Sequence, residues 1–253
     1  MANKDGKTKP QFPFKPPGQT TIWKVVEAKA KGSEGPPIKF TIQELPEDRY
    51  EEAVEHMCKY FIADEPMCNC WNGIEDPVYV QFFRNLWTET LKEGLTVAAF
   101  VDDPNGGKPI LAGMNVLMLS CKDEDVDMTI AGESKKAGQL MVVLMDLMKK
   151  ANIYEKYGVD RYMGAIGLSV HPSYRGAALG KHILDVRNDI GREYNMTVSA
   201  TAFTSPISQK LAARCGFEDV YSKDYDDMHN EEGNKLFPGI KAKELKVMAK
   251  RLD

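Results

Sequence analysis

The densest set of anion-binding groups in the chain lies in Val170-His171-Pro172-Ser173-Tyr174-Arg175-Gly176-Ala177-Ala178-Leu179-Gly180-Lys181. Pro172 ends an alternating strand, Ile166 to Val170. From Leu179 the apolar spacing becomes helical through Ile183, Val186 and Ile190, with Arg187, Asp189 and Arg192 on other faces. Arg175 to Gly180 is therefore a helix entry, whose first backbone amides lack intrahelical partners and carry partial positive charge. Gly176 and Gly180 leave room for a bulky anion against that backbone, which makes the stretch a phosphate-binding turn. Taken alone, Gly-x-x-x-Gly equally fits a helix-packing pair of glycines. Two nucleotide fingerprints are excluded. A Walker A loop needs glycine where Arg175 stands and Ser or Thr where His182 stands, and a dinucleotide fingerprint needs a glycine at Ala178.

Two other stretches carry reactive types. Glu65, in Ala63-Asp64-Glu65-Pro66-Met67, is an acid at a helix end, held extended by the proline after it and set beside the negative end of the preceding helix. By itself it also reads as a solvated loop residue. In Thr204-Ser205-Pro206-Ile207-Ser208, Ser205 is an N-cap and Pro206 takes the first helical position. Ser208 also reads as a first-turn serine bonded to backbone. Cys215, at the end of that helix beside Gly216, sits where a thiolate is unfavourable, so it is not read as a nucleophile.

Arg-Gly-x-x-x-Gly after Val-x-Pro-x-Tyr resembles the acetyl-CoA motif of the GNAT superfamily of N-acetyltransferases. The resemblance implies that main-chain amides of Arg175, Gly176, Ala177, Ala178, Leu179, Gly180 and Lys181 grip the pyrophosphate of acetyl-CoA, the cosubstrate. It implies that Leu168, Ser169 and Val170 offer strand-edge groups to the pantetheine and acetyl arm. Leu45-Pro46-Glu47-Asp48 followed by Phe61-x-x-Asp64-Glu65-Pro66-Met67 is similar to the insect arylalkylamine N-acetyltransferases, with Met67 in place of their leucine. That similarity implies Glu65 as the general base, acting on the amine directly or through water. Many GNAT enzymes protonate the departing thiolate with a tyrosine four residues before a Gly-Phe pair, and here that position is Ala212. The insect group has a serine eight residues before that glycine, matched by Ser208, which the resemblance also sets near the cofactor. Its second hydroxyl, four residues earlier, is Thr204. The implied activity is transfer of acetyl to the primary amine of a small arylalkylamine or related biogenic amine, within a ternary complex. A GNAT acyltransferase for another amine, a protein or a longer acyl donor, and a CoA-binding domain without turnover, are the alternatives.

The elements that must position these groups follow the chain order strand, helix, helix, strands, helix, strand, helix, strand, helix, two strands. That is α/β with a mixed, mostly antiparallel sheet and helices on both faces, as in the GNAT fold. Residues 1–37 read as a flexible extension, with one short docking strand at Ile22–Val26, and residues 38–253 as the acetyltransferase domain. Helices are expected over 46–64, 77–93 and 140–157, and loops over 64–76 and 120–135. The 253 residues suffice for a full core. A formal net charge of -4 argues against nucleic acid and anionic membrane partners. Five cysteines and four histidines show no metal-ligand spacing, so no metal is expected and the thiols read as reduced. With no apolar leader or long apolar run, the expectation is a cytoplasmic protein. Its oligomeric state is open, with a monomer the working expectation.

Overall fold

A computed structural model describes residues 20–30, 34–122, 124, 132–230 and 232–252. One sheet contains β1 (Ile22–Ala28), β2 (Ile38–Glu44), β3 (Val97–Val101), β4 (Ile110–Cys121), β5 (Arg161–Val170), β6 (Val198–Phe203), β7 (Glu218–Asp224) and β8 (Glu244–Arg251). Their order is β1-β2-β3-β4-β5-β6-β8-β7. Every pairing is antiparallel except β5 with β6. The helical connection between those two strands is the crossover a parallel pair requires. This is the α/β, mostly antiparallel architecture expected from the sequence.

One face of the sheet carries α1 (Tyr50–His56), α2 (Pro66–Cys70), α3 (Pro77–Leu91), α4 (Lys135–Ala151) and α5 (Ile153–Tyr157). A π-helical turn over Met57–Phe61 continues α1 to Asp64. The other face carries α6 (Leu179–Asp185) and α7 (Arg187–Glu193), with α8 (Pro206–Arg214) packed beside α6 through Leu184 and Ala212. Strand alternation feeds both cores. Ala98 and Phe100 join the first, while Val97, Ala99 and Val101 join the second.

Three expectations need correction. The expected helix over 140–157 is two helices, because Asn152 adopts a left-handed conformation (φ 46). The segment 64–76 is not a loop: Pro66 at the first helical position opens α2, and a 3-10 turn follows at Gly73–Glu75. The helix expected to run from Leu179 through Ile190 breaks at Val186, and Arg187, placed off its apolar face, is fully buried. The strand near residue 22 runs from Ile22 to Ala28 and pairs along β2 as the edge of the sheet. Residues 1–19 and most of 123–131 lie outside the described residues, and with them part of the extension and loop expected there.

Two departures from regular pairing shape the site. β5 and β6 are registered only at Met163 and Ser199. Beyond that point they diverge, and among the described residues no strand covers the edge of β5 towards Val170. On its other side, Leu168 opposes Asn115 and Ala165 opposes Leu117. Ile166 and Gly167 therefore stand against Val116 alone, a β-bulge that re-aims the strand end.

Candidate active site

The bulge is held from both faces. Trp87 Nε1 of α3 donates to Ile166 O (2.9 Å), and Asn115 Nδ2 of β4 donates to Gly167 O (2.7 Å). His171 N donates to Ala112 O of β4 (2.9 Å). By strand alternation the backbone groups of Ser169 then face β4, while those of Leu168 and Val170 face the opening between β5 and β6. Val170 O already accepts from Arg175 Nε (2.9 Å).

The turn after β5 takes the shape its sequence implies. Pro172 to Tyr174 form a 3-10 turn, Gly176 is left-handed (φ 83), and Ala178 precedes α6 with φ 55. Gly176 is needed for conformation rather than space, since an added Cβ would meet only Ala30 Cβ at 3.6 Å. Ala177 and Leu179 are buried and anchor the turn. Gly180 packs against Leu211 and Val170. Lys181 pairs with Asp185 (2.6 Å), and the guanidinium of Arg175 pairs with Asp64. Arg175 therefore ties the turn to the segment that carries Glu65.

Glu65 sits between two helices. It ends the helical run through Asp64 and caps α2, accepting Cys68 N–H on Oε2 (2.7 Å). The residue is 8 % exposed, and among the described residues its other oxygen, Oε1, is buried with no hydrogen-bond partner. A lone buried carboxylate oxygen is costly unless something is meant to meet it. Rings of Trp87, Phe83, Tyr79, Trp71, Phe237 and Tyr225 follow one another around this region, each 4.8–6.4 Å from the next. Burial raises the Tyr225 phenol, and the Glu65 charge adds to the rise. Burial likewise raises Tyr79, which donates to Cys68 Sγ (3.3 Å). Tyr225 Oη donates to Thr204 O (3.0 Å), joining the Glu65 region to the start of α8.

Ser208 closes a capping box with Ser205, each side chain meeting the other's backbone N–H. Its Oγ lies 3.0 Å from Ser205 Oγ and 2.9 Å from Ser205 O. Thr204 Oγ1 has no protein partner among the described residues, although its carbonyl is taken by Tyr225. Burial pushes the Cys215 thiol up to about 12, which agrees with its exclusion as a nucleophile. Among the described residues no group of three or more His, Cys, Asp or Glu side chains could hold a metal, and no helix is long and apolar enough to cross a membrane.

Sequence reasoning missed Tyr225, Trp71, Phe237 and the imidazoles. Trp71 lies in the segment expected as a loop, and Tyr225 and Phe237 lie where no periodicity places them. His56 Nε2 lies 3.0 Å from Ser169 Oγ, and both residues are buried. Ser173 N–H donates to His171 Nδ1, so neutral His171 carries its proton on Nε2 and donates to Tyr60 Oη (3.0 Å). Burial, then His171, lowers His56 to about 4. An unfolded histidine titrates at about 6.5. Between these values the unfolded chain binds more protons, so this contribution to stability is present above about 6.5 and is lost as pH falls towards the folded value. The difference in melting temperature between wild type and His56→Gln should therefore change as pH is lowered across that window. Parallel curves would rule His56 out as the source.

No protein-family model and no curated protein matches the chain. Solved structures do. A candidate arylalkylamine N-acetyltransferase 7 from the yellow fever mosquito Aedes aegypti superposes with TM-score 0.84 at 30% identity, over 92% of this chain and 96% of that one. Arylalkylamine N-acetyltransferase 2 of the same mosquito gives TM-score 0.72 at 22% identity, over 85% and 99%. The polyamine N-acetyltransferase of Drosophila melanogaster, which forms N-acetylagmatine, gives TM-score 0.69 at 15% identity, over 84% and 100%. The last two carry the likeness of fold alone.

Proposed function

Because this chain belongs to the GNAT superfamily of N-acetyltransferases, we propose that it transfers the acetyl group of acetyl-CoA to the primary amine of a small arylalkylamine. Acetyl-CoA is the cosubstrate of this chemistry. The uncovered edge of β5 fits a narrow, amide-bearing pantetheine arm, and the turn from Arg175 to Lys181 fits its pyrophosphate. The observation that carries the amine reading is the unpartnered Glu65 Oε1, a buried acceptor beside a run of aromatic rings. An aryl ring packs against such a wall while its ammonium meets the carboxylate.

In this reading Glu65 takes one proton from the ammonium and passes it to solvent. The freed nitrogen forms a C–N bond to the thioester carbonyl carbon, and the C–S bond breaks. Backbone N–H groups at the open edge of β5 hold the negative charge that develops on the carbonyl oxygen. Thr204 and Ser208, four residues apart at the start of α8, hand a proton to the departing sulfur. The second nitrogen proton, lost as the amide forms, restores their hydroxyls.

The test is thiol release from acetyl-CoA with a panel of amines. Tyramine, dopamine and tryptamine should be turned over with a higher kcat/KM than agmatine, spermidine or a lysine peptide. Turnover of the latter group alone would replace the substrate class while keeping the reaction, and no turnover with any amine would leave a CoA-binding domain.

A further inference from the structure

Arg187 is 1% exposed, and among the described residues its side-chain hydrogen-bond partners are all uncharged. Nε and Nη2 donate to Asn115 Oδ1 (3.0 and 2.8 Å). Nη1 donates to Ser199 Oγ and Thr201 Oγ1 (3.0 and 2.9 Å). The guanidinium also lies 5.6 Å from the centre of the Phe217 ring. Burial lowers its pKa to about 9, so the charge is still present at neutral pH. An interior cation without an anion is expensive, and an apolar side chain of similar volume would be the cheaper filler. Its partners indicate what the charge is for. Ser199 and Thr201 stand on β6 and Asn115 on β4, so Arg187 reaches from β6, one wall of the opening, to β4, which lies behind the other wall, β5.

The second link is the Asn115 amide. Its oxygen faces Arg187, and its nitrogen donates to Gly167 O in the bulge (2.7 Å). A trans peptide sets the carbonyl of one residue opposite the N–H of the next. With Gly167 O drawn towards Asn115, the N–H of Leu168 points the other way, into the opening. Each bond in such a chain polarises the next, most strongly where water is excluded. Asn115 and Ser199 are fully buried, which meets that condition.

We infer that Arg187 is a positioning residue for acetyl transfer: through Asn115 it polarises the Gly167–Leu168 peptide, making the Leu168 N–H a stronger donor to the thioester carbonyl oxygen. The inference rests on the acetyl-transfer reading above. It assigns a task to a residue that touches neither substrate and that sequence periodicity places off the apolar face of its helix.

The discriminating variant is Asn115→Asp. It keeps the size of the side chain and gives Arg187 an ion-pair partner, so a role limited to bridging strands would be preserved. It also removes the donor to Gly167 O and neutralises the cation. Removing an oxyanion donor outright costs about 10²–10³ in rate. Weakening one should cost less, so kcat should fall on the order of tenfold to a hundredfold, with KM for acetyl-CoA within about threefold. The second readout needs no turnover. The infrared carbonyl band of acetyl-CoA labelled with ¹³C at the thioester carbon should move to lower frequency on binding wild type, and should return towards the free position in the variant. A folded Asn115→Asp protein with wild-type kcat, or with an unchanged bound band, overturns the inference. Should the variant not fold, the wild-type band decides, and a band at the free position overturns it. Wild type that binds no acetyl-CoA by calorimetry overturns both this inference and the acetyl-transfer reading. Wild type that binds with an unshifted band overturns the inference alone.

Discussion

Glu65→Gln should lower kcat/KM for the amine by about 10²–10⁴, the usual cost of losing a general base, while affinity for acetyl-CoA stays nearly unchanged. The glutamine keeps the size of the side chain and an acceptor oxygen for Cys68 N–H, so the cap of α2 survives. What it lacks is the ability to take a proton on the buried oxygen that has no partner among the described residues. The separation of effects follows from geometry, because Glu65 belongs to the segment between α1 and α2, whereas the cofactor turn follows β5. The two meet through the Asp64–Arg175 ion pair, which the mutation leaves intact. A further comparison isolates the chemistry. A weakly basic aralkyl amine that is already neutral at the assay pH has no ammonium proton to give up, so the penalty of Glu65→Gln should shrink with it. An equal penalty for strongly and weakly basic amines would mean that Glu65 binds or positions the amine without taking its proton. A variant retaining more than about half the wild-type kcat/KM would exclude both roles.

What the sequence made legible, and what it did not, divides along one physical line. Elements with a one-sided apolar pattern were readable. β5 and β6 alternate, α3 and α8 begin at Asp76-Pro77 and Ser205-Pro206, and the phosphate turn carries glycine at the left-handed position 176. Features set by pairing across the fold were not. Val186 fits a continuous helical stripe, yet the chain breaks there and Arg187 turns inward. The hint was present in polar residues within strands. Asn115 interrupts an apolar run, and Ser199 and Thr201 face the helices from a strand whose other side is also buried. Three buried polar side chains with no local partner imply a shared one, but nothing in a linear pattern says that it is an arginine on the far side of two strands. Glu65 shows the same limit. Its neighbour Pro66 ends a helix, as the sequence implies, but it also opens the next one and makes the acid an N-cap. The proposed base thus owes its burial to a short helix whose five residues are too few to show a period.

Gly167→Ala should damage the protein twice, and the two losses should separate in a double mutant. The residue has φ 139, a region open to glycine and strained for any side chain. An added Cβ would also lie 2.4 Å from Met57 Cε and 3.3 Å from Phe61 Cε2. The methionine end and the Phe61 ring must give way, and the backbone must either carry the strain or give up the bulge. A loss of about 2–6 kcal/mol is expected, combining strain of about 1–3 kcal/mol with overpacking of similar size. Urea unfolding would measure it through a shifted midpoint at unchanged slope. Met57→Ala clears the clash and leaves φ as it is. In the double mutant the overpacking share should vanish, so the combined loss should fall short of the sum of the two single losses by about 1 kcal/mol or more. The rate should not recover with it. Relaxing the alanine towards regular strand geometry would undo the bulge that places Ile166 O on Trp87 and Gly167 O on Asn115. The Leu168 N–H would then turn from the opening, and kcat should fall by about 10²–10³, as for a lost oxyanion donor, in the single and the double mutant alike. If the double mutant regained wild-type kcat, steric pressure from Met57 rather than the conformation of Gly167 would be what the site depends on.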